Sequence, residues 1–234
     1  MLENTNLPLK KWMMAMYLLS AHKKGISSHQ LARDLDIRQK AAWFLLHRIR
    51  KMFEDNGMPL LAGTVEVDET FVGGKIGNMT KKRRAKWINS EESNKTPVMG
   101  LLERGGDAKL TVIGERTLKD IIRENVSPDA YINTDENNGY TGLNLEFADH
   151  GTVNHSIGEF KKDDITTNSV EGMFSLFKRM IFGTYHQISP KHLQKYCNEL
   201  TYRYNTRKIK DCDRFVNTFA YIKETLPRMN PIKK

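Results

Sequence analysis

Cysteine is nearly missing. Cys197 and Cys212 are the only two in 234 residues, with no CxxC and no paired Cys/His spacing. That argues against a disulfide scaffold and a structural zinc site, and it fits a reducing cytoplasm. Long apolar runs are missing too. The longest, Trp12 to Leu19, falls well short of the roughly 20 residues that a membrane helix needs. No small-residue cleavage site follows it, so neither a membrane span nor a signal peptide is expected. There is no internal repeat. Acidic residues are the minority charge: 37 Lys and Arg stand against 28 Asp and Glu, a formal net charge of +9. Such a balance favours a polyanionic partner, most simply nucleic acid, although many soluble proteins share generic basicity. Hydrophobic residues at 39% and charged residues at 28% suit a globular chain of one large domain, or a small one plus a medium one.

What is present begins with helices. Leu9 to Ser20 is apolar-rich and ends before Gly25. Ser27 or Ser28 can cap a second helix carrying Leu31, Ala32 and Leu35, and Asp36-Ile37 reads as a tight turn. From Gln39 a third helix carries Ala42, Leu45, Leu46 and Ile49 at helical spacing. Two helices joined by a short turn, the second one basic, is the helix-turn-helix pattern. It sets Arg38, Gln39 and Lys40 where side chains reach base edges, and His47, Arg48, Arg50 and Lys51 where they meet phosphates. The same pattern also serves plain helix packing. Asn56-Gly57-Met58-Pro59 is turn chemistry and closes this all-α module at residue 58.

From residue 59 to 234 the pattern changes to α/β. Thr64 to Val72 alternates as a strand, with Val65, Val67 and Glu69 on one face and Glu66, Asp68 and Thr70 on the other. A carboxylate among β-branched residues is costly to bury unless it binds something positive, which marks Asp68 as a site residue. Lys75 to Thr96 reads as a long mobile loop whose Lys81, Lys82, Arg83 and Arg84 suit phosphate contact or simple solvation. Residues 97–102 and 109–113 form a strand pair, and 117–125 a short helix. Residues 130–134 make a strand running into Asp135, and 152–155 continue the sheet, with His155 beside the site. A carboxylate at the carboxyl end of such a strand sits where α/β sheets bind ligands. Pro190 to Arg207 reads as a helix on the sheet, and Asp213 to Thr225 as a last amphipathic helix.

Thr166 to Lys178 is the stretch these elements serve. As a helix it sets Asn168, Glu171, Ser175 and Lys178 on one face and Val170, Phe174 and Phe177 on an apolar stripe. Taken alone, Glu171 and Lys178 also fit an exposed charge pair. With Asp68 and Asp135 they make two aspartates, a helical carboxylate and a phosphate-holding lysine. That set suits phosphoryl transfer at two divalent ions, for which Mg²⁺ needs oxygen ligands and no His/Cys cluster. Arg179, Tyr185 and His186 follow as DNA contacts, with core packing the alternative for Tyr185.

These stretches resemble the prokaryotic insertion-sequence DDE transposases of the ISXO type. The resemblance rests on VEVDETFVGGK at 65–75, NTDENNGY at 133–140, HGTVNHSIGEF at 150–160, TNSVEGMFSLFKR at 167–179 and GTYHQISPKHLQKYCNELTYRYNTR at 183–207, with LPLKKW at 7–12. It implies an RNase H-like mixed sheet flanked by helices and a site of Asp68, Asp135 and Glu171 or Asn168, with Lys178. It further implies two Mg²⁺ or Mn²⁺ ions, DNA partners (the element's terminal inverted repeats and target DNA) and a homodimer or larger assembly. The location would be cytoplasmic and nucleoid-associated, with neither membrane nor zinc. Water would attack at the element end, and the freed 3′-OH would attack target DNA. Three departures stand out. The zinc ribbon that members carry ahead of this point is not in the chain, which reads as a truncated copy with weakened end recognition. Thr166 stands where His is frequent, and Asn168 competes with Glu171 for the third catalytic place. The competing function is a non-catalytic helix-turn-helix DNA-binding protein derived from a decayed or truncated transposase.

Overall fold

The structure, a computed structural model, describes residues 5–54, 58–74, 76–88, 93–154, 161 and 164–222. The chain divides into two compact units, Met1–Asn56 with Thr206–Lys234, and Gly57–Asn205. Among the described residues no helix is long and apolar enough to cross a membrane.

The first unit is all α. Helix α1 (Leu9–Ala21) buries Trp12, Ala15, Met16 and Leu19, the one-sided spacing that drives an amphipathic helix onto a core. Helix α2 (Ser28–Asp34) is capped by Ser27, whose side chain accepts from Gln30 N at 3.1 Å, so of the two candidate serines Ser27 is the cap. After α2, Asp36 takes a left-handed φ of 47° and Ile37 N donates to Ala32 O at 3.0 Å, a turn that short polar side chains tolerate. Helix α3 (Gln39–Met52) then buries Ala42, Leu45, Leu46 and Ile49.

The C-terminal helix joins this unit, where the sequence reading had placed it with the sheet. In the described part, expected as a helix over 213–225, α8 spans Asp211–Asn217 and a single 3-10 turn, Thr218–Tyr221, follows it. The reason lies in Arg214, which is buried and donates to the carbonyl oxygens of Ser20 at 3.1 Å, Thr206 at 3.1 Å and Ile209 at 3.3 Å. The Tyr17 and Phe215 rings meet edge to face beside it, with centroids 5.8 Å apart.

The second unit is built on a five-stranded sheet in the order β3-β2-β1-β4-β5. The strands are β1 (Thr64–Val72), β2 (Thr96–Glu103), β3 (Ala108–Val112), β4 (Tyr131–Thr134) and β5 (Asp149–Thr152). β1, β2 and β3 form an antiparallel meander, while β4 runs parallel to β1 and β5 parallel to β4. Helices α5 (Leu118–Asn125), α6 (Asn168–Met180) and α7 (Leu193–Asn205) cover it, which is the RNase H-like mixed sheet that the resemblance implied. One face packs Val65, Val67, Met99, Leu101 and Ile132 against Ile121 and Ile122 of α5. The other packs Val98, Leu102, Ala108 and Leu110 against Val170, Phe174 and Phe177 of α6 and Leu193 and Leu200 of α7.

The open edge of β3 is closed by α7. Ala108 N donates to Asn205 Oδ1 at 2.9 Å, Leu110 N to Thr201 Oγ1 at 3.1 Å and Val112 N to Gln194 Oε1 at 2.8 Å. Side chains of one helix thus satisfy the alternate donors that an edge strand leaves unpaired.

Two further elements differ from the sequence reading. The basic stretch expected as a mobile loop contains a helix, α4 (Lys81–Ile88), after a 3-10 turn at Ile76–Asn78. Arg84 makes this possible by folding back to donate to the carbonyl oxygens of Gly77 and Met79. The last strand lies at Asp149–Thr152 rather than 152–155, and His155 falls outside the described residues.

Gly100 sets how closely α6 approaches the sheet. It pairs across from Asp68, and a Cβ there would lie 2.8 Å from both the Phe174 ring and Val170 Cγ2. Gly100→Ala is therefore expected to cost about 2 kcal/mol by overpacking, read as a lower midpoint in urea. Pairing it with Phe174→Leu should recover much of the loss, and an unchanged midpoint in the single variant would contradict the close contact.

Candidate active site

The site begins with strand register. β1 and β4 are parallel neighbours, pairing Thr64 with Tyr131, Val65 with Ile132 and Glu66 with Asn133. Two residues further along both strands the same register brings Asp68 level with Asp135. Residues at even spacing share a face, so both aspartates lie on the face that α6 covers. Glu69, one step on, lies on the other face, beyond the last residue pair with β4 but still paired with Met99 of β2.

One carboxylate oxygen each from Asp68, Glu69 and Asp135 lies within 4.8 Å of the others, and all three side chains are half-buried. Local hydrogen bonds hold them. Glu69 N donates to Asp68 Oδ1 at 2.7 Å, Asn137 N to Asp135 Oδ1 at 3.1 Å, and Asn137 Nδ2 to Glu69 Oε1 at 3.4 Å. Burial pushes the Glu69 carboxyl up to about 7; the Tyr140 hydroxyl beside it works the other way, and the charges of Asp135 and Asp68 add to the rise. Like charges crowded at a half-buried spot repel one another, and a cation is what relieves them. The donor set is all oxygen, which fits a hard divalent ion such as Mg²⁺ or Mn²⁺. Behind Asp135, the Thr134 hydroxyl donates to the Asp135 carbonyl at 2.8 Å and lies 2.9 Å from His150 Nε2. Burial lowers the pKa of that histidine.

The expected helical residues sit on α6. Asn168, Glu171, Ser175 and Lys178 are all exposed along one side of it, opposite the buried Val170, Phe174 and Phe177. Glu171 Oε1 accepts from the Thr167 hydroxyl at 3.2 Å. Glu171 is not one of the three clustered carboxylates, and Glu69, which the sequence reading assigned no role, is. The signal for Glu69 was its place next to Asp68 in β1.

The residues expected to contact DNA divide into presented and engaged. Arg38, Gln39 and Lys40 are exposed at the start of α3, with Gln39 Nε2 donating to Ser28 Oγ at 2.8 Å. Further along α3 the expectation of phosphate contacts fails in part. His47 and Arg50 are buried, and Arg48 stacks over the Trp12 ring with its guanidinium carbon 6.0 Å from the centroid. Lys81 and Lys82 are exposed on α4. Arg83 lies in the same helix, and Arg84 is turned inward as described. Lys178 and Arg179 are exposed near the end of α6. A π-helical turn, Ile181–Tyr185, follows, after which exposed His186 takes a φ of 58°. Tyr185 takes the packing alternative. Its hydroxyl donates to buried Glu199 at 2.6 Å, and its ring meets Tyr196 with centroids 4.7 Å apart.

Residues 60–205 match the family model described as ISXO2-like transposase domain. An uncharacterized transposase-like protein of Haemophilus influenzae is 31% identical over 94 residues, spanning 40% of this chain and 75% of that protein. The simian T-cell lymphotropic virus intasome in complex with PP2A regulatory subunit B56 gamma aligns at 13% identity and a TM-score of 0.35, over 95% of this chain and 78% of that one. The Mos1 strand transfer complex aligns at 14% identity and a TM-score of 0.33, over 94% of this chain and 77% of that one. The family match covers more than half of the sequence and contains the whole sheet, both aspartates and α6, and the chain therefore belongs to the ISXO2-like transposase family.

Proposed function

We propose that this chain is an active DNA transposase that cuts the ends of its element in a metal-dependent reaction and joins them to target DNA. The observation that carries the reading is the convergence of Asp68, midway along β1, and Asp135, just past the end of its parallel neighbour β4, with Glu69 beside them. Asp68, Asp135 and a third carboxylate, Glu69 or Glu171, would hold one or two divalent ions. When bound, such ions polarise the scissile phosphate and stabilise the attacking and leaving oxygens.

The remaining roles belong to the chain's own groups. Lys178, two turns along α6 from Glu171, offers a positive charge for a phosphate of the DNA end. Arg38, Gln39 and Lys40 present donors at the start of a helix that follows a tight turn, the placement from which side chains read base edges. Lys81 and Lys82 on α4 add phosphate contacts that carry no sequence information. The DNA partners are the element's terminal repeats and the target, and the working form is a homodimer or larger.

Labelled DNA carrying the element's ends, incubated with the protein and Mg²⁺ or Mn²⁺, tests the reading through strand cleavage and joining. Products of both steps that vanish with chelator support it; binding with no product at any metal concentration counts against it. A second expectation needs no DNA. Mn²⁺ at about 100 times its dissociation constant should stabilise the folded chain by roughly 2.7 kcal/mol, seen as a raised melting temperature. Asp68→Ala should erase that rise, and a rise that survives the change would place the ion elsewhere.

A further inference from the structure

Glu66, the third residue of β1, is a fully buried carboxylate at 0% exposure. It faces α6, not solvent. Its Oε2 accepts from Ser169 N at 2.7 Å and Val170 N at 3.1 Å, and its Oε1 accepts from the Ser169 hydroxyl at 3.0 Å and from Arg104 Nε at 2.8 Å. Arg104 extends the network. Its Nη2 donates to Thr166 O at 3.3 Å and, in the amide orientation that satisfies both ends of Asn133, to Asn133 Oδ1 at 3.1 Å.

The placement of these groups is not that of an ordinary helix cap. Glu66 stands two residues before Asp68 on the same face, and Asn133 stands two residues before Asp135 on the same face. Thr166 and Thr167 lead into α6, and Asn168 to Val170 open the helix, which carries Asn168 and Glu171. One network therefore touches all three elements that bear the proposed catalytic side chains, one residue pair behind the side chains themselves. Helices are ordinarily capped by their own N-cap side chain. In α6 the N-cap Thr167 makes no such bond, and its hydroxyl instead donates to Glu171 at 3.2 Å. The Thr166 hydroxyl oxygen accepts from Asn168 N at 3.2 Å, and the next two amides, those of Ser169 and Val170, are capped from the sheet by Glu66, so the sheet holds the first turn of α6.

Energetics point the same way. Apolar residues can replace a buried ion pair at little cost or even with gain, so packing alone does not call for a charge at this position. Three donors from the helix start and one guanidinium give a geometry that an apolar contact cannot specify, since hydrogen bonds fix direction as well as distance.

We propose that Glu66 is a positioning residue. With Arg104 and Asn133 it registers the first turn of α6 against Asp68 and Asp135, and it sets the geometry of the site without touching DNA or metal. The proposal rests on the transposase reading for its consequence in catalysis, and on the fold alone for its geometry.

The test uses Glu66→Gln, which keeps shape but turns an amide N–H toward donors, and Arg104→Gln, at the rim with 30% side-chain exposure. Fe²⁺ with ascorbate and peroxide, supplied to the full chain, generates radicals that cut the polypeptide next to the bound ion. In the unaltered protein cuts are expected near 68, near 135 and within 166–171. In both variants the first two should persist and the third should fade. DNA cleavage should fall about tenfold or more at unchanged DNA affinity, the usual scale for supporting residues behind a site. Should Glu66→Gln not fold, Arg104→Gln decides alone. An undiminished cut within 166–171, its absence from the unaltered protein, or cleavage at the unaltered rate overturns the proposal. If the unaltered protein cuts no DNA, the transposase reading falls, and the iron-cleavage pattern still decides the geometry.

Discussion

Asp135→Asn is expected to slow cleavage of the element's ends by roughly a thousandfold or more, a loss of about 4 kcal/mol of transition-state stabilisation. DNA binding should be unchanged. The substitution keeps everything at this position but the charge. Asn has the shape of Asp, and its Oδ1 can still accept from Asn137 N, the bond that holds Asp135 at 3.1 Å. Strand β4 ends at Thr134, so nothing in the ladder depends on the charge. What is removed is one anionic ligand from a set of three within 4.8 Å. An amide oxygen binds hard cations more weakly than a carboxylate does, while the phosphate contacts that dominate affinity for DNA lie on other residues. Single-turnover cleavage and a mobility-shift titration on the same preparation separate the two effects. Cleavage within about tenfold of the unaltered rate would rule Asp135 out as a ligand, since a supporting residue alone can cost that much. Running Glu69→Gln and Glu171→Gln in parallel assigns the third place. The one that falls as far as Asp135→Asn is the ligand.

Asp68 and Asp135 were legible because each follows from a local rule. Asp68 interrupts an alternating strand with a charge, and Asp135 ends an apolar one. The α6 stripe of Val170, Phe174 and Phe177 was legible from helical spacing in the same way, as were the Ser27 cap region and the α3 core residues. Glu66 shows where local rules stop. It lies between two valines in β1, where Asp68 has only Val67 beside it, so the cost of burial that singled out Asp68 applied to it with at least equal force, and Glu66 is the one fully buried. Its partners Ser169 and Val170 are about a hundred residues away, and no spacing rule connects them. Register was hidden for a related reason. That β4 lies beside β1 and parallel to it depends on the whole sheet order, so the levelling of Asp68 with Asp135, and the entry of Glu69 into the cluster, could not be read from either strand. The exposed side of a basic helix was likewise hidden. Arg48 and Arg50 in α3, and Arg84 in α4, look alike in sequence to Lys40 and Lys81. Arg48 lies over the Trp12 ring, Arg50 is buried, and Arg84 folds back onto the carbonyl oxygens of Gly77 and Met79.

Arg214→Ala is expected to destabilise the α-helical unit by about 3 kcal/mol, because a buried, multiply bonded guanidinium is lost and its acceptors are left behind. Arg214 donates to three carbonyl oxygens, those of Ser20, Thr206 and Ile209, and to Asp211 Oδ1 at 3.1 Å. The Ser20 bond ties the end of α1 to α8, so one side chain joins the two ends of the sequence. For a unit of this size the loss corresponds to a fall in melting temperature of roughly 12–24 °C. Arg214→Lys should lose nearly as much, since one ammonium cannot span acceptors that a planar fork reaches together. Calorimetry, with amide exchange to identify which residues open, distinguishes this assignment from the one that sequence suggested. If residues 206–222 stabilised the sheet, amides of β1 and β4 would lose protection in the variant. The structure requires instead that α1 and α3 open early while β1 stays protected. A fall of less than about 3 °C, under about 0.8 kcal/mol on this scale, would mean that the Arg214 clasp does not hold α8 to the helical unit.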